Sequence, residues 1–286
     1  MKTILVPTDF SDTSINAAKY AYGLAMQVGA KEIVLYNSFI TPISSTLDPS
    51  MPGISIVDFE TLEIASKEGL QFVKDTLYGS FGDTSVGIEL LSKHGYLSDN
   101  INSACDESKA DVIVMGITGG GLISEKVFGS NTTIIAKYAK VPVIIVPSDS
   151  CYKQINKLLL VSDFVEIEEY VPFIPIKQVL DETKAKLMIL HVAENSHHSL
   201  YEGAYECFAF KELFAGYNPE FHFVVNSNFA QAINNFASEN NADVIIVIPK
   251  KHSLLESLFT KSHTKELAFH SRIPLMAVHE NLANSI

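Results

Sequence analysis

Three short segments of this chain occur twice, in the same order. Lys2-Thr3-Ile4-Leu5-Val6-Pro7-Thr8-Asp9-Phe10 returns as Lys157-Leu158-Leu159-Leu160-Val161-Ser162-Asp163-Phe164, with one residue fewer before the closing Asp-Phe. Ala110-Asp111-Val112-Ile113-Val114 returns as Ala242-Asp243-Val244-Ile245-Ile246, and Val141-Pro142-Val143-Ile144-Ile145-Val146 as Ile273-Pro274-Leu275-Met276-Ala277-Val278. The last two pairs share an offset of 132 residues, whereas Asp9 and Asp163 are 154 apart, so the second copy is 22 residues shorter between its first and fourth strands. An ordered internal repeat of this length is a duplicated domain. The 286 residues suffice for two domains of ordinary size. The boundary falls near Ser148–Cys151, giving a first copy of residues 1–150 and a second of 151–286.

Within the first copy, continuous apolar runs rich in Val and Ile predict strands near 2–7, 32–38, 85–92, 111–116 and 142–147. Helical periodicity separates them; Ile15, Ala18, Tyr22 and Ala25, for example, share one helical face. Apolar strands alternating with helices predict an α/β fold with a parallel sheet covered on both faces. The second copy repeats the pattern near 157–162, 186–192, 221–225, 243–248 and 274–279. The expected architecture is two tandem five-stranded, Rossmann-like units. Residues 40–57, rich in Ser, Pro and Thr, read as a long loop belonging to the first copy alone.

Charge excludes whole classes of partner. The net charge is −12 and the chain has one arginine, Arg272. Nucleic acid and anionic membrane surfaces both need clustered Lys and Arg, so neither is an expected partner. The three cysteines, Cys105, Cys151 and Cys207, form no CxxC pair and are odd in number, which speaks against a disulfide framework or a thiolate metal site and for a reducing, cytoplasmic setting. Met1 runs directly into a strand-like segment, without the pattern of a signal peptide or of a membrane span. Nine histidines invite a metal reading. Yet His197-His198 are adjacent, and His252, His263 and His270 have neither HExxH-like spacing nor a thiolate nearby, so no metal site is expected. The aromatic run Tyr201, Tyr205, Phe208, Phe210 and Phe214 reads as core or interface.

One stretch carries chemistry. Val114-Met115-Gly116-Ile117-Thr118-Gly119-Gly120-Gly121 leaves the fourth strand, and Phe128-Gly129-Ser130-Asn131-Thr132 enters the next helix. Gly116 and Gly119 would let backbone approach a ligand with no Cβ in the way. Gly129-Ser130 puts unpaired N–H groups at a helix N-terminus, where free donors and partial positive charge suit phosphate. Lys126 is the only lysine in the loop, so backbone and hydroxyl donors would do most of the binding. Glycine-rich turns often serve packing alone, and that reading suits Gly120 and Gly121. It does not account for small residues at both ends of the loop.

Gly116-x2-Gly119-x9-Gly129-Ser130 resembles the ATP-binding signature of the universal stress protein family. The opening Val6-Pro7-Thr8-Asp9-Phe10-Ser11 is similar to that family's first strand and turn, and Leu190-His191-Val192 to its second strand. The likeness spans both copies. It implies an adenine-nucleotide-alpha-hydrolase-like sheet with ATP, ADP or AMP across the carboxyl ends of the strands, and Mg²⁺ on the phosphates of ATP. Carried over by position, Pro7, Thr8, Asp9 and the backbone around Asn37 and Met115 would contact adenine or ribose. Gly116, Gly119, Gly129, Ser130 and Asn131 would hold ribose and phosphates. Asp9 can also be read as an acid favouring a helix N-terminus. In the family the last strand mediates dimerisation, so Val141–Val146 and Pro274–Val278 should pair as an intramolecular pseudo-dimer, leaving a homodimer and an unknown protein partner open.

The second copy departs from the signature. The shared offset puts Ile248 and Lys251 at the places of Gly116 and Gly119, directly followed by the bulkier Pro249 and His252 respectively, and Lys261-Ser262 at Gly129-Ser130. Proline has no N–H to give, and the bulkier side chains would fill phosphate space. One nucleotide per chain is therefore expected, with Asp163 a relic. No GxSxG elbow, Walker motif or early GxGxxG occurs. No general base or arginine stands beside the phosphate site, so the expected role is regulatory and no catalytic residue is assigned. A slow ATPase or adenylyl transferase on the same fold, and a ligand-free interaction module, are the alternatives.

Overall fold

A computed structural model describes residues 1–41, 59–82, 85–117, 130–164, 167–193, 203–249, 272–279 and 282, with the side chains of 130 and 203–206 outside the description. The first copy runs β1 (Thr3–Pro7), α1 (Asp12–Val28), β2 (Glu32–Phe39), α2 (Phe59–Phe81), β3 (Gly87–His94), α3 (Leu97–Ser108), β4 (Val112–Ile117), α4 (Ser130–Tyr138) and β5 (Val143–Pro147). The second runs β6 (Lys157–Val161), α5 (Ile167–Tyr170), α6 (Phe173–Thr183), β7 (Lys186–Ala193), α7 (Gly203–Leu213), β8 (Glu220–Val225), α8 (Phe229–Glu239), β9 (Val244–Val247) and β10 (Leu275–Ala277). The strands lie within about two residues of the expected runs. Of the long loop read at 40–57, only Ile40 and Thr41 are among the described residues.

All ten strands share one sheet, in the order β3-β2-β1-β4-β5-β10-β9-β6-β7-β8. Every pairing is parallel except β5 with β10, where Ile145, Ile144 and Val143 lie opposite Leu275, Met276 and Ala277. Alternate strand residues feed two apolar layers, one on each face. Ile4, Val6, Leu158 and Leu160 enter one, Leu5, Leu159 and Val161 the other, so both layers run through both copies. That is why these strands are apolar throughout instead of alternating.

The repeated Ala-Asp has a backbone role. Asp111 Oδ2 accepts from the N–H of Thr3 at 3.1 Å and also from that of Lys2; Asp243 Oδ2 accepts from Asn156 and Lys157 at 2.8 and 2.9 Å. Each aspartate thus ties the start of its copy's first strand to the start of its fourth.

The connection between the copies is strapped to α1. Asn16 Nδ2 donates to the Ser150 carbonyl at 2.9 Å, and Gln27 exchanges two hydrogen bonds with the Ile155 backbone, each 2.8 Å. The Tyr152 hydroxyl also donates to Gln27 Oε1, and burial pushes this phenol's pKa up to about 12. Its ring packs edge-on to Tyr20 and lies directly over Gly23, where a Cβ would come within 2.2 Å of a ring carbon. Gly23→Ala is therefore expected to evict Tyr152 and lower stability by about 1–3 kcal/mol, as for other overpacked sites. Urea unfolding followed by circular dichroism measures this, and an unchanged midpoint would contradict the strap.

Candidate functional site

In an open parallel sheet, ligands sit beyond the carboxyl ends of the strands where the strand order reverses. In the first copy the chain leaves β1 toward β2 on one side and returns to β4 on the other, so the crevice lies between β1 and β4. Leu5 is opposite Ile113, which brings Pro7 and Met115, two residues further along each strand, to the same level.

The turn after β1 is held by its own small side chains. Phe10 adopts a left-handed backbone (φ 67°), and its N–H donates to Thr8 Oγ1 at 3.0 Å. Thr8 Oγ1 is also hydrogen-bonded to Ser14 Oγ at 2.9 Å. Ser11 caps α1 by accepting from the Ser14 N–H. Asp9 is exposed at the apex and is not part of the helix; its Oδ1 accepts from the Ser11 hydroxyl at 2.6 Å and N–H at 3.1 Å. Burial works to raise the Asp9 pKa, but the Ser11 hydrogen bonds outweigh it and the net shift is downward. The carboxylate therefore stabilises the turn above the ordinary carboxyl range, and loses that effect as pH falls through its lowered value.

Behind the turn runs a buried polar row. Asn37 Nδ2 donates to the Thr8 carbonyl at 2.7 Å, Ser66 Oγ donates to Asn37 Oδ1 at 2.7 Å, and Ser66 is hydrogen-bonded to Ser92 at 2.7 Å. The Asn37 side chain is thus consumed in joining β1, β2 and α2, and only its backbone remains for a ligand. In the second copy, Thr8, Phe10 and Asn37 correspond to Ser162, Phe164 and His191. Phe164 is again left-handed (φ 59°), and His191 Nδ1 donates to the Ser162 carbonyl at 3.2 Å. The row itself is aromatic there, Phe164 lying 5.0–5.6 Å from the rings of His191, Phe210 and Phe223. Ser66→Ala would strand a buried amide oxygen, so a loss of about 1–3 kcal/mol is expected in urea unfolding. A variant as stable as the parent would show that the row does not hold the turn.

Met115 is buried in the β4 core, and Gly116 follows it, half-buried. A Cβ on Gly116 would come within 2.6 Å of the Thr13 carbonyl oxygen and 2.9 Å of Thr13 Cγ2. The close approach that excludes a side chain here is that of the first turn of α1. Gly119 and Gly129 lie outside the described residues; α4 begins at Ser130, and Asn131 in its first turn is exposed. The described part of the site therefore gathers Pro7, Thr8, Asp9, Asn37, Met115 and Gly116. Ser11, Ser14, Ser66, Ser92 and Thr13 were not legible as site-supporting residues. Only Ser11 carried a signal, as a serine just ahead of a helical pattern.

In the second copy Pro249 follows β9, while His252, Lys261 and Ser262 lie outside the described residues, as do His197, His198, His263 and His270. Among the described residues no group of three or more His, Cys, Asp or Glu side chains could hold a metal, and no helix is long and apolar enough to cross a membrane. Of the aromatic run, Phe210 and Phe214 are fully buried and Phe208 is 57% exposed. Tyr201 and the Tyr205 side chain lie outside the described residues.

Comparison with known proteins is consistent from several directions. The profile of the universal stress protein family matches residues 1–147 and 192–279. A universal stress protein of Methanocaldococcus jannaschii is 30% identical over 145 residues, 51% of this chain and 81% of the relative. Universal stress protein G of Escherichia coli O157:H7 is 28% identical over 148 residues, 51% of this chain and 98% of the relative. Among solved structures, a universal stress protein from Archaeoglobus fulgidus superposes with a TM-score of 0.67 at 20% identity, covering 96% of this chain and 94% of its own.

Proposed function

Because the chain belongs to the universal stress protein family, we propose that its first copy, residues 1–150, binds one adenine nucleotide in a regulatory role while the second, residues 151–286, binds none. The observation that supports this most is that the β1 turn and the Met115-Gly116 end of β4 lie together at the strand-order reversal, with α4 beginning at Ser130 in the connection from β4 to β5. Adenine and ribose would lie against Pro7, Thr8, Asp9 and the Asn37 and Met115 backbone. The phosphates would lie at Gly119, Gly129, Ser130 and Asn131, where a helix N-terminus favours negative charge. With ATP, Mg²⁺ would be held by phosphate oxygens and water. The carboxylate described at the turn, Asp9, has one oxygen engaged by Ser11, and magnesium keeps much of its hydration in sites of this kind.

The antiparallel β5–β10 pairing supports reading the two copies as an internal pseudo-dimer built on their last strands. A cytoplasmic location accords with three cysteines that form no disulfide. Mass spectrometry of small molecules released from the purified protein should identify AMP, ADP or ATP. Calorimetric titration of the stripped protein should give a stoichiometry near one. A value near two would refute the asymmetry, and no binding would refute the nucleotide reading.

A further inference from the structure

A cleft of about 630 Å³ opens at the end of the sheet opposite the candidate nucleotide site. Its walls are the C-terminal ends of α3 and α4, and it is bounded by His279 and Leu282, which follow β10 of the other copy. Among the described residues, Lys109, Lys137 and Lys140 line it beside one carboxylate, Asp106. Lys140 pairs with that carboxylate at 3.1 Å. Lys137 lies over the Tyr138 ring, 5.6 Å from its centre. Among the described residues neither Lys109 nor Lys137 forms an ion pair. Among the described residues the cleft therefore gathers three lysines against one carboxylate, in a chain of net charge −12.

Lysines at helix C-termini commonly offset the helix dipole. The second copy does without one at the place of Lys109. At the places of Lys109 and Asp106 it carries Asn241 and Ser238, and Asn241 has the same left-handed backbone (φ 54° against 51°). At the place of Lys140 it carries Arg272, whose charge is answered by Asp149 at 3.5 Å.

We propose that the cleft between α3, α4 and the end of β10 binds a phosphate monoester with an apolar substituent, separately from the nucleotide. A phosphate monoester is close to a dianion at neutral pH, which matches Lys109 and Lys137, neither of which is ion-paired among the described residues. Ala139, Val141 and Leu282 supply apolar wall. Cys105 at the cleft is 3% exposed, and burial pushes its thiol pKa up to about 12, so the wall there is neutral. The volume lies in the range of small-ligand sites.

The test is an amide-resolved NMR titration of the full chain with phenyl phosphate at constant ionic strength. Shifts are expected to cluster on Lys109, Ala110, Lys140 and His279. Lys109→Asn combined with Lys137→Gln should weaken binding about tenfold, the sum of two modest charge contacts. Asparagine already occupies the left-handed position in the second copy, so this variant should fold; its undisturbed spectrum elsewhere verifies that. Unchanged affinity in the double variant would overturn the site, as would shifts spread over lysines across the surface or centred on Asp9 and Gly116. Inorganic phosphate binding as tightly as phenyl phosphate would overturn the apolar component, and tighter binding of citrate the monoester assignment.

Discussion

Gly129→Val is expected to abolish adenine nucleotide binding while leaving the stability of the ligand-free protein unchanged. The position immediately precedes α4, whose first turn offers backbone N–H groups with no intrahelical acceptor. A branched side chain there would stand where phosphate oxygens must approach those donors, and the loop's one lysine, Lys126, adds charge but no backbone donor in their place. Affinity should fall by more than about a hundredfold, or about 2.7 kcal/mol. Ser130→Ala, which removes one hydroxyl, should cost only about 0.5–2 kcal/mol. Calorimetry with ATP and ADP measures both. Binding by Gly129→Val as tight as the parent's would place the phosphates elsewhere.

Gly116→Ala should fail in the opposite way, losing stability before any ligand is added. Its new methyl carbon would meet the Thr13 carbonyl oxygen at 2.6 Å, and a backbone atom cannot swing aside as a side chain can. Relief requires α1 to move off β4, although Ala17, Ala18, Ala21 and Leu24 of that helix are fully buried. A loss of about 1–3 kcal/mol is expected, with valine costing more. Since α1 carries the cap that shapes the Asp9 turn, nucleotide affinity should fall as well. Urea unfolding of the ligand-free variant separates the two effects. If Gly116→Ala matches the parent in stability but loses nucleotide, the glycine serves the ligand alone.

The secondary structure and the duplication were legible without coordinates because both are written in local pattern. Apolar runs of five to eight residues between helical stretches can satisfy their backbone only as buried strands, and three markers in fixed order can arise only from a repeated unit. The Ala-Asp marker recurs because each copy needs an acceptor for two N–H groups at the start of its first strand. The glycine signature was legible as well, since glycine is chosen for what it lacks.

Other features depended on partners far apart in the chain. Nothing in Ser66 or Ser92 foretold that they would meet Asn37 and hold the carbonyl of Thr8, because a buried serine is recognisable only once its acceptor is known. Gly116 read as a place for ligand, yet the group occupying its missing side chain belongs to Thr13, more than a hundred residues earlier. Gly23 and Gln27 carried no signal until residues 152–155 were laid across them. Lys109, Lys137 and Lys140 are unremarkable along the chain and form a basic cleft only where two helix ends converge. Sequence by itself determined the elements, their order and the repeat, since strand and helix periodicities are set by neighbours a few residues away. The tertiary structure decided which side chains were consumed by the fold and which were left for a ligand, since hydrogen bonds and steric exclusion depend on distances in space that separation along the chain does not encode.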